Sequence, residues 1–443
     1  MVPAPDHRRS PPGTVQSRSP ATATHGARTL NEAEARAEPT HPTPGDRARA
    51  IALDAADPLR ALRDRFVVHD PGRLYLDGNS LGRLSVDVRQ RLDDAVEDWG
   101  RRVVEGWHDW IELPTRVGDR LAGVVLGASP GEVLVADSVT VNLYKLAHAA
   151  ADLRDGPIVT DAGNFPTDRY VLEGVARQRG RPYVEAPTVD DAVAAAAGGV
   201  LALSLVDYRT GALLDAPSIA RATDALVIWD LSHAAGAVEL DLSDLDLAVG
   251  CTYKYLNAGP GAPAFLYVRR DLHGTMRSPI QGWFGRRDQF AMGLGYEPAD
   301  GIERFAAGTP SITGLHAIDA SLDLLEAAGM AAIAAKARHL TGLAIELADA
   351  WLAPLGFEVA TPRDATARGA HVSVRHPVAW QIDRVLIERA GVVPDFREPD
   401  ILRLGFSPLT TSFADVNEGI ERIRAVVERG EHLEMPREHR RVT

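Results

Sequence analysis

Between residues 131 and 268, seven short apolar runs alternate with stretches of helical periodicity, and this alternation constrains the fold more than any other feature of the chain. The runs are Glu132–Ala136, Pro157–Thr160, Tyr183–Ala186, Val200–Val206, Leu226–Trp229, Leu247–Val249 and Ala264–Val268. Each is continuously apolar rather than alternating, as a strand covered on both faces must be. The pattern predicts an α/β architecture with a mostly parallel, seven-stranded sheet sandwiched by helices. In such a sheet ligands bind beyond the carboxyl ends of the strands, where Asp230, the segment 164–168 and the segment 208–211 fall.

The chemistry concentrates in residues 226–268. An apolar run ends on Asp230, His233 follows, and a second run leads into Cys251-Thr252-Tyr253-Lys254-Tyr255 and a Gly/Pro-rich turn. A strand-end carboxylate followed by a lysine at a strand-to-loop junction is what a pyridoxal phosphate site needs. The lysine holds the aldehyde as a Schiff base, and the acid keeps the pyridine nitrogen protonated. The chain has only three lysines, Lys145, Lys254 and Lys336. Lys145 and Lys336 lie in helical stretches and read as solvated. Lys254, flanked by tyrosines and apolar runs, reads as partly buried, which lowers an amine pKa and makes it a usable nucleophile and base.

Residues 1–48, rich in Pro, Ala, Thr, Ser and Arg, cannot bury enough apolar area to offset their ordering entropy and read as a disordered tail. Residues 49–315 read as a large domain with an N-terminal segment, 316–432 as a smaller α+β domain, and 433–443 as a C-terminal tail. Within them PLRALRDRF reads as a helix, as do 86–104 and 115–126, broken between by Gly106-Trp107-His108-Asp109-Trp110. Further helices are expected over 315–328 and 330–351, and strands over Gly356–Ala360, His371–Arg375 and Ile401–Phe406.

At −13 net charge and a pI of about 5.6 the chain offers no basic field for nucleic acid or an anionic membrane. Cys251 is the single cysteine, which excludes an internal disulfide and points to a reducing, cytoplasmic setting. No apolar run approaches the ~20 residues that span a bilayer. Ser10-Pro11-Pro12-Gly13 stands where a signal following Arg8-Arg9 would place its apolar core. The histidines have no metal-ligand spacing and no GxxxxGK[ST] segment occurs, so neither a metal nor a nucleotide phosphate is expected.

The segments YLDGNSLG (75–82), TVNL (140–143), NFPTD (164–168), YRTG (208–211), WDLSHAAGAVELDL (229–242), GCTYKYLNAGPGAP (250–263), GWFG (282–285), RFAAGTP (304–310) and DFREPDILRLGFSPL (395–409) occur in one order. Together they resemble the kynureninase family, pyridoxal-phosphate hydrolases of fold type I in the class V aminotransferase group. The resemblance implies hydrolysis of the Cβ–Cγ bond of L-kynurenine or 3-hydroxy-L-kynurenine, giving anthranilate or 3-hydroxyanthranilate and L-alanine. It implies that Lys254 carries the cofactor and removes the Cα proton, and that Asp230 pairs with the pyridinium nitrogen. Phe165 would stack on the ring, with Pro166, Thr167 and Asp168 beside it. Val139, Thr140, Ser204, His233 and Tyr253 would line the cofactor, Tyr253 also assisting catalysis. Trp283 and Thr309 match residues supplied by the partner in a homodimer. Arg403 would receive the substrate carboxylate, and Trp107 its aromatic ring.

Two positions depart from the family pattern. Thr410 stands where a tyrosine is expected after Pro408-Leu409, and Pro394 where a glycine is expected before Asp395. Both are near the substrate end. The alternatives are another class V enzyme, such as an aminotransferase or a cysteine desulfurase, and a non-catalytic protein that keeps the fold for binding. Anthranilate release, amino-group transfer or the absence of cofactor absorbance would separate them.

Overall fold

A computed structural model of the chain describes residues 44–436. Its strands are β1 (Leu74–Tyr75), β2 (Val133–Val135), β3 (Ile158–Asp161), β4 (Tyr183–Ala186), β5 (Val200–Ser204), β6 (Leu226–Asp230), β7 (Leu247–Gly250), β8 (Phe265–Val268), β9 (Glu358–Val359), β10 (His371–Arg375), β11 (Val392–Val393), β12 (Asp395–Arg397) and β13 (Ile401–Gly405). The seven apolar runs become one seven-stranded sheet in the order β2-β8-β7-β6-β5-β3-β4. Neighbours from β7 to β4 pair in parallel, and β8 runs antiparallel to both β7 and β2.

Continuous apolarity has the expected cause, because successive residues enter cores on opposite faces. Leu201, Leu203, Val227 and Trp229 face one core with Leu315, Ile318 and Leu322 of the helix Ile312–Ala328. Val200, Ala202, Leu226 and Ile228 face the other, with Leu143 and Leu146 of the helix Val139–Ala151 and Leu172 of the helix Pro166–Arg179. Ser138 caps the first of these helices by accepting from Val141 N–H, and Pro166 occupies the first turn of the second, where no amide partner is needed.

A second sheet, β12-β13-β10-β9, is antiparallel and two-faced. Val372, Val374, Phe396, Leu402 and Leu404 point into a third core with Phe413, Ile420 and Ile423 of the helix Phe413–Glu428. The alternate positions, His371, Ser373, Asp395 and Arg403, therefore share the opposite, polar face. β1 pairs in parallel with β11, and Gly405 lies against the loop after β1. A Cβ at Gly405 would stand 1.4 Å from Asn79 Oδ1, so only glycine fits there.

The structure corrects several expectations. A helix spans Pro44–Ala56, so its first turn, residues 44–48, falls in the segment read as a disordered tail; residues 1–43 and 437–443 lie outside the described residues. That helix owes its order to tertiary contacts rather than propensity: Ala50 is fully buried, and the Asp54 carboxylate accepts from Phe413 N–H (2.7 Å) and Ala414 N–H (3.0 Å). The PLRALRDRF segment forms only a 3₁₀ helix, Arg60–Arg65, and Trp107–Trp110 makes one helical turn instead of a break.

Lys145 and Lys336 are buried, not solvated. Lys145 donates to Asp137 Oδ2 (2.8 Å) and to the Phe305 carbonyl (2.7 Å), while Lys336 pairs with Asp57 (2.7 Å). A buried lysine needs such a counter-charge, and in each case one acid supplies it. Among the described residues no helix is long and apolar enough to cross a membrane.

Candidate active site

The carboxyl ends of the parallel strands open onto a cavity of about 360 Å3. Its wall is assembled from four strand exits and the entry to antiparallel β8. Asp137, Ser138, Val139 and Thr140 lead from β2 into the helix 139–151, and Phe165, Thr167 and Asp168 lead from β3 into the helix 166–179. Asp230, Ser232 and His233 follow β6. Cys251, Tyr253 and Lys254 follow β7, and Gly261, Ala262 and Ala264 precede β8. Nine of the predicted site residues, Val139, Thr140, Phe165, Thr167, Asp168, Asp230, His233, Tyr253 and Lys254, thus meet around one space.

Lys254 Nζ lies 3.3 Å from His233 Nε2. Burial, and then the adjacent Lys254 charge, hold the imidazole well below its usual pKa. A neutral His233 can therefore accept from the ammonium and aim it. Gly82 backs the lysine: its N–H donates to Tyr253 O (2.8 Å), and a Cβ there would stand 2.3 Å from Lys254 O.

Opposite the lysine, two carboxylates confront each other. Burial and the neighbouring Asp230 charge drive the Asp168 carboxyl well above the usual range, with Lys254 opposing. Asp230 also accepts from Ser232 N–H at 2.8 Å. Two acids crowded together in a site this buried hold a proton between them and call for a cationic or N–H-bearing guest. Burial raises the Tyr253 phenol, which makes it a hydrogen-bond donor rather than a base at neutral pH. The Cys251 thiol is raised by burial and donates weakly to Ser232 O, so it is not an activated nucleophile.

Pro166 stands in the same wall segment without itself lining the cavity. Ser204 sits one step behind it: its hydroxyl donates to Asn164 Oδ1 (2.6 Å), and the same oxygen accepts from Phe165 N–H (2.7 Å). Asn164 is anchored in turn to Thr160 Oγ1 at 2.9 Å. Thr309 lines an adjoining cavity of about 200 Å3 that shares Asp137 and Gly261 with the first. Trp283 is exposed, edge-on to Phe284 and Phe290. Trp107 is half-buried against Trp110 and Phe284, and lies outside the Lys254 cavity wall.

Arg403 also lies outside that wall, on the polar face of the second sheet. It donates to Tyr208 O (2.6 Å), Asp395 Oδ2 (2.7 Å) and Ser80 Oγ (3.1 Å). On the same face lies His371, whose ring is 5.7 Å from that of His233. Tyr208, held by Arg403, packs edge-on against Phe165 at 5.2 Å.

Sequence reasoning assigned no role to Asp137, Ser138, His371 or Asp395, and placed Asn164 and Tyr208 only within segments at the ligand-binding edge of the sheet. The first two are a strand end and a helix cap directly before Val139, a readable signal. Asn164 and Tyr208 lie inside quoted motifs, and Asp395 opens another. His371 carried no signal, because only the pairing of β10 with β13 aims it at the site.

The donor set fits pyridoxal phosphate: an aimed amine, an acid pair for a ring N–H, an aromatic wall and a capped helix N-terminus for a phosphate. Residues 333–423 match the family described as kynureninase C-terminal domain. The chain is 42% identical over 400 residues to the kynureninase of Deinococcus radiodurans, covering 86% of this chain and 97% of that one. It is 40% identical over 397 residues to that of Pseudomonas fluorescens, covering 86% and 95%. Among solved structures it is similar to a cysteine desulfurase from Thermococcus onnurineus (TM-score 0.70, 18% identity, covering 80% and 95%). Another cysteine desulfurase, from Escherichia coli, has a TM-score of 0.68 at 18% identity, covering 84% and 98%. At that identity the structural likeness establishes the fold alone, which is the fold-type I α/β architecture expected. The sequence relatives carry the assignment further, to the level of family, and the chain belongs to the kynureninases.

Proposed function

We propose that the chain hydrolyses the Cβ–Cγ bond of L-kynurenine or its 3-hydroxy form, releasing anthranilate or 3-hydroxyanthranilate and L-alanine. The observation that carries this reading is Lys254, aimed by neutral His233 and facing the Asp168–Asp230 pair across one cavity, in a chain of this family. Bound there, pyridoxal phosphate supplies the electron sink for charge left when the proton beside the substrate amine is removed.

The chain's own residues do the rest. Ser138, Val139 and Thr140 present a helix N-terminus to the phosphate, Phe165 covers the ring, and Asp230, paired with Asp168, holds a proton at the ring nitrogen. Lys254 would hold the cofactor, and its Nζ would be the base positioned to take the Cα proton. His233, staying neutral, keeps that Nζ oriented. Arg403 receives the substrate carboxylate with Asp395 and Ser80 fixing its plane. Tyr253 donates to an oxygen of the bound group, and Lys254 is the base available to activate water at the ketone next to the aryl ring.

The enzyme is further proposed to act as a cytoplasmic homodimer. The exposed apolar group Trp283, Phe290, Met292 and Leu294 gives a second copy a surface to cover, and Trp283 and Thr309 would then complete the partner's site. Trp107 would meet the substrate's aryl ring in that assembly. A large domain over 49–315 and a smaller one over 316–432 would flank the site.

Anthranilate fluorescence after adding L-kynurenine to the cofactor-loaded protein tests the reading, with 3-hydroxykynurenine followed by absorbance and Lys254→Ala in parallel. Product from the wild type alone is expected. A change in cofactor absorbance without product would refute the substrate, and no change at all would refute the reaction.

A further inference from the structure

A second cavity, of about 100 Å3, lies outside the Lys254 site and is lined by Arg63, Arg73, Tyr75, Arg83, Thr410 and Asp415, among others. Three guanidinium groups face one carboxylate there. That carboxylate is already committed, to Arg63 at 2.8 Å and to the Ser412 N–H at 2.9 Å. Among the described residues neither Arg73 nor Arg83 has a carboxylate within ion-pair distance. Arg83 is half-buried with its guanidinium carbon 5.0 Å over the Tyr75 ring, and burial pulls its pKa down against the opposing charge of Asp415. Thr410 adds a hydroxyl. The space corresponds to a few waters at about 30 Å3 each, room for one small oxyanion.

We propose that this cavity binds a divalent oxyanion of the inorganic phosphate type, gripped by Arg83 and Arg73, whose planar forks match its oxygens. The excess of two positive charges favours a dianion over chloride or a monocarboxylate.

The site is wired to the catalytic cavity through one short strap. Tyr75 Oη donates to Leu81 O (2.7 Å), Gly82 N–H donates to Tyr253 O (2.8 Å), and Ser80 Oγ donates to Asp395 (2.9 Å), beside Arg403. Arg83 is the next residue of that strap. An anion drawn onto Arg83 braces the segment that backs Lys254 and positions Arg403, so occupancy lowers KM. This last consequence rests on the proposed reaction; binding itself does not.

The test is calorimetric titration of the pyridoxal-phosphate-loaded protein, whose cofactor phosphate site is filled, with inorganic phosphate at constant ionic strength and chloride as control. Saturable binding of one phosphate per chain is expected for the wild type. Arg83→Gln should weaken it at least tenfold, and Thr410→Tyr, which fills the cavity without removing charge, should abolish it. No saturable heat in the wild type, or equal affinity in all three proteins, would overturn the site. In steady-state assays phosphate should lower KM in the wild type and not in Arg83→Gln; binding with KM unchanged would overturn the link to catalysis.

Discussion

Replacing Asp395 by asparagine removes one charge at a point where two arginines depend on it. Asp395 Oδ2 accepts from Arg403 (2.7 Å), Arg397 (2.7 Å) and Ser80 (2.9 Å) while the carboxylate and Arg403 are almost completely buried. An asparagine keeps the shape and one acceptor but leaves Arg403 without its counter-ion, and breaking a buried pair from one side costs ~3–5 kcal/mol. Part of that loss is returned by a neighbour. The Asp77 carboxyl is pushed up to about 7, first by burial and next by Asp395 itself. Without Asp395 that carboxyl ionises more readily and its charge then favours the arginines, an offset present only above the pKa that burial still imposes. The expected loss is therefore about 4 kcal/mol near pH 5 and about 2 kcal/mol near pH 8. Urea unfolding at the two pH values measures it, and KM for L-kynurenine should rise more than kcat falls, because the group proposed to hold the substrate carboxylate loses its fixed plane. A loss under ~1 kcal/mol at both values, or a larger one at the higher pH, would refute the account of this network.

Asp383, whose carboxyl burial pushes up to about 8, takes up a proton that the unfolded chain releases, so stability falls as pH rises from about 4 to 8. Asp383→Asn should leave stability near pH 4 unchanged and raise it by ~3 kcal/mol near pH 8, again by urea unfolding. Lys145→Met leaves Asp137 without its partner and should cost about 2 kcal/mol, yet retain the yellow cofactor absorbance that Lys254→Ala loses. Ser204→Ala releases Asn164 and through it Phe165; loss of one such hydrogen bond, ~1 kcal/mol, should weaken cofactor binding about fivefold in an equilibrium titration.

The parallel sheet was legible because a strand covered on both faces must be apolar on both, and the central runs Val200–Val206, Leu226–Trp229 and Leu247–Val249 are almost continuously so, whereas Tyr183–Ala186 at the sheet edge admits the exposed Glu185. Lys254 and Asp230 were legible for a related reason: a strand that ends in a polar side chain delivers it to the sheet's carboxyl edge. What the sequence could not display was burial decided by one distant contact. Lys336 sits among alanines and reads as solvent-facing, yet Asp57, far away in the chain, draws it inside. The helix Pro44–Ala56 has the composition of the tail before it and is held by Asp54 capping a helix more than three hundred residues later. Ser204 had a readable identity but not a readable position, because its hydrogen bond to Asn164 turns it away from the cavity into a supporting role.

The polar face of the second sheet explains how substrate and cofactor groups are held in one frame. Arg403 donates to Tyr208 O, Ser373 to Arg209 O, and Thr361 to Thr210 O, so three successive carbonyls of the loop after β5 are clamped by side chains of the smaller sheet and the turn beside it. Tyr208 then rests against Phe165, the proposed cover of the cofactor ring. The arginine proposed to take the substrate carboxylate thus also sets the loop that braces that cover, and its Nε, buried without a partner among the described residues, is the donor left free for an incoming oxygen. A carboxylate arriving there would share Arg403 with Asp395, and Tyr208 would pass the exchange to Phe165. Truncating Tyr208 would accordingly loosen both ends of the site at once, which two independent binding pockets would not do.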